Sequence, residues 1–429
     1  MHKDEHFSLH DITKIEGHAS LEVLLKSGIV EKCEFRVSEN HRFFEEMCLG
    51  KSFSEIPLIV SRICGFCCSS HLNTAVKACE NALGLEVSEQ TKILREISMN
   101  MEHLKSHVLH LYMLVLPDYL QRESVLHFNE KEHKHIHDAL DIKKAATDVL
   151  RILGARVYHT VNSRIGGFSL LPFQEDIEKA SKELFKIRKK VLSAIELFSS
   201  FKQPVFERQT RYAALSSQKY ELMQGTIKIS DGAEIQEKDF LEHFEEKVIP
   251  YSTSKDFFYK GSEYMVGALA RINLHREKLC AEPKKCIRDL KLKFPNHSPF
   301  FNNIAQALEM LQCIDSTIEL LDSLKIRQEP LPKTLPKEGK GIGVCEAPRG
   351  LLFHSYSIGS DGLIKKADIV VPTSQNNRNT EKDLIDFIPS LLNLKKPEAE
   401  LEIEKLIRAY DPCISCSTHF LKVKWKKLK

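Results

Sequence analysis

Two cysteine pairs of identical spacing lie almost a chain length apart: Cys64 and Cys67 in Arg62-Ile63-Cys64-Gly65-Phe66-Cys67, and Cys413 and Cys416 in Asp411-Pro412-Cys413-Ile414-Ser415-Cys416. Four thiolates meeting in a closed core make a site for a soft or borderline metal. Taken alone, a doubled C-x-x-C pattern most often marks a structural zinc tetrahedron, or a redox dithiol if only one pair matters. A structural zinc, however, usually staples a short module that cannot fold unaided, and here nearly the whole fold separates the pairs. Asp411 is a good N-cap residue and Pro412 suits a first helical position, so a helix is predicted to carry Cys413 and Cys416 in its first turn. The dipole there would favour thiolate. With no hard ligand competing, nickel, zinc and iron all stay open on spacing alone.

The elements that must position these thiols can be read from periodicity. Residues 20 to 37 alternate as a half-buried hairpin, with Leu21, Val23 and Leu25, a turn at Ser27-Gly28, then Cys33, Phe35 and Val37. Helical stripes run from Leu94 to Val115, from Ile177 to Phe198 and from Ile304 to Leu321. Several long helices with one apolar stripe each imply a bundle. Periodicity is poor over 201–262, and the stretch around Pro330 to Gly343 is rich in Pro, Lys and Gly, so both read as surface excursions. Strand-like alternation returns over 341–372. The expected class is α+β, predominantly helical: a long central helix bundle with small peripheral β-sheets.

Composition narrows the setting. No Gly/Ser-rich linker or low-complexity tract divides the 429 residues, so one large domain or two fused layers is expected. Lysine plus arginine (62) nearly balance aspartate plus glutamate (59), which gives no electrostatic reason to invoke nucleic acid. The start Met1-His2-Lys3-Asp4-Glu5 has no signal-peptide pattern, so the twelve cysteines read as reduced intracellular thiols, with metal ligation ahead of cross-linking. No stretch approaches the ~20 apolar residues of a membrane span. Cys33, Cys48, Cys68, Cys79, Cys280, Cys286, Cys313 and Cys345 have no cluster spacing, and buried free cysteine is common. His103, His107 and His110 share one helix edge and are expected to be satisfied core or surface histidines rather than ligands.

Arg62-x-Cys64-Gly65-x-Cys67-x-x-x-His71, taken with Asp411-Pro412-Cys413-x-x-Cys416-x-x-His419, resembles the paired signatures of the nickel–iron hydrogenase large subunit. The resemblance continues through Ile15-Glu16-Gly17-His18, Ser106-His107, Asn162-Ser163-Arg164-Ile165-Gly166-Gly167, Tyr264-Met265-Val266-Gly267, Glu346-Ala347-Pro348-Arg349-Gly350 and Pro372-Thr373-Ser374-Gln375-Asn376. Only 201–262 and the last ten residues lack a counterpart. The resemblance implies the hydrogenase large-subunit fold as a single domain over 1–419, with an N-terminal hairpin at about 12–40, a helical core at about 72–330 and a mixed region at about 341–419. It implies reversible heterolytic cleavage of dihydrogen, with protons released and electrons passed on.

Carried over by position, the resemblance makes Cys64 and Cys413 terminal nickel thiolates, and Cys67 and Cys416 thiolates bridging nickel to an iron that also carries carbon monoxide and cyanide. Glu16 would relay protons, Arg349 would hold its guanidinium over the open metal position with Asp411 as its partner, and His71 would donate to a bridging sulfur. Glu45, the main-chain carbonyl of Asn377 and His419 would hold magnesium or a similar divalent cation. Ser106 stands where some respiratory members have aspartate, as in cytoplasmic members. The implied partners are an iron–sulfur small subunit, flavin and NAD(P) diaphorase subunits, nickel chaperones and a maturation endopeptidase, in the cytoplasm. That endopeptidase would remove residues 420–429, which hold five lysines and the single tryptophan, Trp425; their loss takes the formal charge from +3 to −2. The rival readings are a zinc-stabilised scaffold without redox chemistry and a quinone-oxidoreductase-like relative, although such relatives have lost these cysteines.

Overall fold

The computed structural model describes residues 4–418, and the alternation near the start folds as expected. Strands Ala19–Lys26 and Ile29–Val37 form an antiparallel hairpin, joined on its outer edge by Glu5–Leu9. Leu21, Val23, Leu25, Cys33 and Phe35 are buried on its inner face. The turn residues Ser27 and Gly28 both take positive φ (51° and 78°), which matches the right-handed twist of a two-residue hairpin.

The three apolar stripes lie on helices Glu89–Leu109, Gln174–Ser200 and Asn302–Ser323, and His133–Gly154 completes a four-helix arrangement in which each helix packs on two neighbours. Leu104, Val108, Leu184, Val191, Ala307 and Leu311 are buried along its seam. The first of these helices continues as a π-helical turn, His110–Val115, which carries the stripe on to Val115. Five small sheets surround the helices among the described residues, so the class is α+β with helices dominant.

Helix Cys68–Leu83 follows directly on the first cysteine pair and is buried on nearly every side. Strand Gly339–Ala347 lies against it backbone to backbone, because Gly339, Gly341 and Gly343 present a face without side chains. A Cβ on Gly341 would sit 2.0 Å from the Ala78 carbonyl oxygen. Only glycine permits that approach. The strand continues as an antiparallel meander through Gly350–Ile358 and Ile364–Val370, followed by helices Pro372–Phe387 and Lys396–Ala409.

Two expectations are corrected. Residues 201–262 are not a surface excursion: Arg211–Ser216, Thr226–Ile229, Glu234–Ile235 and Tyr264–Met265 make a four-stranded sheet. Its buried Ala213, Leu215 and Ile227 share a core with Phe240, Phe244, Phe257 and, from the later meander, Val344 and Phe353. Its strands are too short and too often broken to show a period. Nor do Cys413 and Cys416 lie in the first turn of an α-helix. Asp411 has φ 50°, outside the extended region that an N-cap takes; Cys413 forms an isolated parallel bridge with Glu16, and only a three-residue 3-10 turn, Ser415–Ser417, follows.

Candidate metal centre

The two cysteine loops meet because the ends of the chain pair. Ile414 donates its backbone N–H to the Glu16 carbonyl at 2.9 Å, and Gly17, with φ 85°, leaves room where a Cβ would meet Ile414 at 2.7 Å. Arg42 ties the same loops from outside, donating to the carbonyls of Ile63 (2.5 Å), Arg62 (3.2 Å) and Ser415 (3.3 Å). Glu102, from the Glu89–Leu109 helix, accepts from the backbone N–H groups of Ser69 (2.6 Å) and Ser70 (2.8 Å), and so caps the helix that starts beside Cys67.

The four sulfurs converge in the interior, all within 4.8 Å of one another. Cys64 Sγ lies 3.4 Å from Cys413 Sγ, Cys67 Sγ lies 3.4 Å from Cys416 Sγ, and Cys413 and Cys416 are 2.8 Å apart. Burial pushes the Cys413 and Cys416 thiols up, whereas Cys64 is held well below its ordinary range by hydrogen bonding from its neighbours, Cys413 foremost, and by the Arg349 charge. Four buried thiolates at such spacing repel one another strongly, and a divalent cation among them removes the repulsion. The donor set is wholly sulfur, so it fits nickel, iron or zinc and does not suit magnesium or calcium.

Arg349 is buried beside the thiols. Its Nε donates to the Asp411 carbonyl oxygen (2.6 Å) and its Nη2 to Asp411 Oδ1 (2.7 Å), while Nη1 points to Ser106 Oγ at 3.5 Å. Gln306 Nε2 donates to the other Asp411 oxygen at 3.0 Å. Asp411 therefore orients Arg349 and caps no helix. Burial disfavours the guanidinium charge, yet Asp411 and the thiolates outweigh it, so Arg349 stays firmly protonated. Glu16 is half-buried; its Oε2 accepts from the Ser415 backbone N–H at 3.1 Å and its Oε1 from the Ser415 hydroxyl. His71 shares a small cavity with Cys67, Cys413 and Cys416, and its Nδ1 bonds His354 Nε2 at 3.1 Å.

Glu45 and Asn377 both border the segment Ser254–Lys255. Glu45 Oε2 lies 3.6 Å from Lys255 Nζ, and Asn377 Nδ2 donates to Ser254 Oγ at 3.1 Å. Burial raises the Glu45 carboxyl to about 7 despite Lys255. The oxygen donors suit a hard cation; His419 and the 420–429 tail lie outside the described residues. Of the helix-edge histidines only His110 bonds through both ring nitrogens, to Gln306 and the Arg408 carbonyl; His107 Nε2 bonds Glu309 (2.7 Å) and His103 Nδ1 bonds the Met99 carbonyl (2.9 Å), while His107 Nδ1 and His103 Nε2 have no hydrogen-bond partner among the described residues.

Sequence reasoning missed one buried cluster. Arg271 donates to both oxygens of Glu309 (2.5 and 2.7 Å), to Glu346 (2.7 Å), and to the carbonyls of Ala347 (3.1 Å) and Pro348 (3.0 Å), so it braces the segment that carries Arg349. Tyr220 also donates to Glu309. The three charged residues come from distant segments, and only the persistence of charge at core-facing helical positions could have signalled them.

A family model for the nickel-dependent hydrogenase matches residues 42–170 and 208–419. It covers most of the 201–262 stretch, for which the sequence motifs name no counterpart, and leaves 171–207 unmatched. The chain is 32% identical over 421 residues to the alpha subunit of sulfhydrogenase 1 from Pyrococcus furiosus, covering 97% of this chain and 98% of that one. It is 30% identical over 426 residues to the alpha subunit of sulfhydrogenase 2 from the same organism (97% and 99% covered), and 27% identical to the beta subunit of the NAD-reducing hydrogenase HoxS of Cupriavidus necator (96% and 94%). In fold it is similar to an NAD+-reducing [NiFe]-hydrogenase, with TM-score 0.86 at 24% identity over 97% of this chain and all of that one. Matching family model, full-length relatives and a four-sulfur centre agree: the chain belongs to the nickel-dependent hydrogenase family, in which it is a catalytic subunit.

Proposed function

We propose that the four cysteines hold a nickel–iron pair, with Cys64 and Cys413 terminal on nickel and Cys67 and Cys416 bridging to an iron that carries carbon monoxide and cyanide. The observation that carries this reading is the all-sulfur buried cluster with a fixed cation, Arg349, at its edge. When bound, such a metal pair supplies the Lewis acidity and the electron acceptor that polarise dihydrogen. Arg349 contributes a positive charge held in place by Asp411, and a basic thiolate or Arg349 itself would take the proton. Glu16, bonded by Ser415 two residues beyond Cys413, then moves that proton from the Cys413 sulfur towards the surface. A cavity of about 360 Å³, walled by Phe66, Leu109, Met113 and Leu114, reaches Arg349 and Glu16 and offers an apolar approach for a small gas.

Glu45, the Asn377 carbonyl and His419 hold magnesium or a similar cation in this reading, and the domain runs over 1–419, completed when an endopeptidase removes 420–429 after nickel chaperones have acted. Electrons leave to an iron–sulfur small subunit, with flavin and NAD(P)-binding subunits beyond, in the cytoplasm. Two of the relatives carry NAD reduction in their names, which supports that coupling. Among the described residues no helix is long and apolar enough to cross a membrane. Metal analysis of the purified enzyme tests the centre: nickel with iron, and infrared bands from the diatomic ligands, are expected, and zinc alone would overturn the reading. Cys64→Ser is expected to abolish hydrogen uptake.

A further inference from the structure

Arg349 is held by a fork that belongs to a single residue. Asp411 offers its main-chain carbonyl to Arg349 Nε (2.6 Å) and its Oδ1 to Nη2 (2.7 Å). Its φ is 50°, a left-handed conformation that a residue with a side chain keeps only where its surroundings hold it. The helix Asn302–Ser323 does the holding, gripping the segment before Cys413 at two points one turn apart. Asn302 Nδ2 donates to the Ala409 carbonyl (2.7 Å), and Gln306 Nε2 donates to Asp411 Oδ2 (3.0 Å).

The Gln306 amide is fixed from both sides. A carboxylate oxygen only accepts, so the amide must present its NH2 to Asp411 and its oxygen the other way. There Oε1 lies 2.5 Å from His110 Nδ1, and the far nitrogen of that ring bonds the Arg408 carbonyl at 2.8 Å. Arg408 is itself anchored by Asp118 (2.7 Å) and by the Thr13 carbonyl (2.9 Å). Gln306, His110, Arg408 and Asp411 are all buried, so bulk water does not replace any of these bonds. Among the described residues Asp411 Oδ2 has no other hydrogen bond, and Ser106 Oγ, 3.5 Å from Arg349 Nη1, is too distant to hold the guanidinium by itself.

We propose that Gln306 is a positioning residue for hydrogen cleavage: by holding Asp411 Oδ2 it stops the carboxylate from rotating, and so keeps Oδ1 on Arg349 and the guanidinium beside the cysteines. A carboxylate fixed at one oxygen alone is free to swing away from Arg349. Misplacing a positioned group by about 1 Å costs up to about a hundredfold in rate. The role rests on the cysteine cluster being the catalytic centre, but the place of the guanidinium is observable whether or not hydrogen is cleaved.

Two substitutions separate the bonds. Gln306→Glu keeps the oxygen that faces His110 and removes only the donor to Asp411, whereas Gln306→Met keeps the length and removes both bonds. In each, kcat per nickel is expected to fall about tenfold to a hundredfold with nickel content unchanged, and crystals of the holoenzyme should show the Arg349 guanidinium displaced by about 1 Å or more. Because Gln306 acts through Arg349, either substitution placed in an Arg349→Lys background should change kcat by less than about twofold. Wild-type kcat per nickel, an unmoved guanidinium, or the same fold loss in the Arg349→Lys background would overturn the proposal, as would a lower thermal midpoint as the sole effect. Failure of the hydrogenase reading would show instead as absent nickel or absent uptake in the wild-type protein.

Discussion

Replacing Arg271 by methionine removes the one cation that Glu309 and Glu346 share. Both carboxylates are essentially inaccessible, and Arg271 supplies two bonds to the first and one to the second. Breaking a buried ion pair from one side costs roughly 3–5 kcal/mol, since the remaining charge is left uncompensated. Unfolding entropy of about 2.1 cal/mol/K per residue gives about 0.9 kcal/mol/K for this chain, so a loss of about 4 kcal/mol lowers the thermal midpoint by about 4–5 °C. The loss has a pH signature. In the wild type, burial pushes Glu309 up but Arg271 more than compensates and holds it well below the ordinary 4.5, so its contribution is present above pH 4.5 and is lost only in stronger acid. Without Arg271, burial is opposed only by the weaker hydrogen bonds from His107 and Tyr220, and the folded-state value is expected to rise above the unfolded one. The variant then gains protons on folding, and its stability falls as pH rises. Glu346, already raised to about 7 by burial, moves further in the same direction. Calorimetry at pH 5 and pH 8 should therefore show a small deficit at pH 5 and the full deficit at pH 8. An equal deficit at both, or a larger one at pH 5, would refute the reasoning. Because Arg271 also braces the Ala347 and Pro348 carbonyls, hydrogen uptake should fall with nickel content intact.

Glu16→Gln should keep the nickel and lower hydrogen uptake by about a hundredfold or more, the usual contribution of a positioned acid–base group; uptake within a few-fold of wild type would remove Glu16 from the proton path. Intact mass of active enzyme should end at His419, and the active form should lack tryptophan fluorescence because Trp425 is the single tryptophan; a mass that includes Lys429 in fully active enzyme would exclude processing. Gly341→Ala should destabilise by roughly 1–3 kcal/mol through overpacking against Ala78, measured as a lower thermal midpoint.

The parts of this molecule that were legible in the sequence are those whose determinants are local. Hairpin alternation, three helical stripes and the cysteine spacing each declare themselves within a few residues. The pairing of Arg349 with Asp411 was legible through the resemblance. Local rules failed where a distant partner outbid them. Asp411 followed by Pro412 looks like a helix start, but Arg349 and Gln306 take its carboxylate and Glu16 claims the backbone that follows. The Arg271, Glu309 and Glu346 cluster was invisible because, although Glu346 opens a recognised motif, Arg271 and Glu309 lie in otherwise ordinary helical segments, and nothing short of the folded core shows that the three meet.

The parallel bridge between Glu16 and Cys413 also bears on vectorial synthesis. Cys64 and Cys413 are separated by 349 positions, so at roughly 5–20 residues per second the ribosome needs about 20–70 s after making the first thiol pair before it can make the second. For most of that interval, until residue 347, Cys64 and Cys67 sit at the head of a helix whose glycine-faced strand partner has also not been made. A nascent chain stalled anywhere before residue 413 thus carries half a chelate, and closure of the centre reports that translation has run to its last stretch.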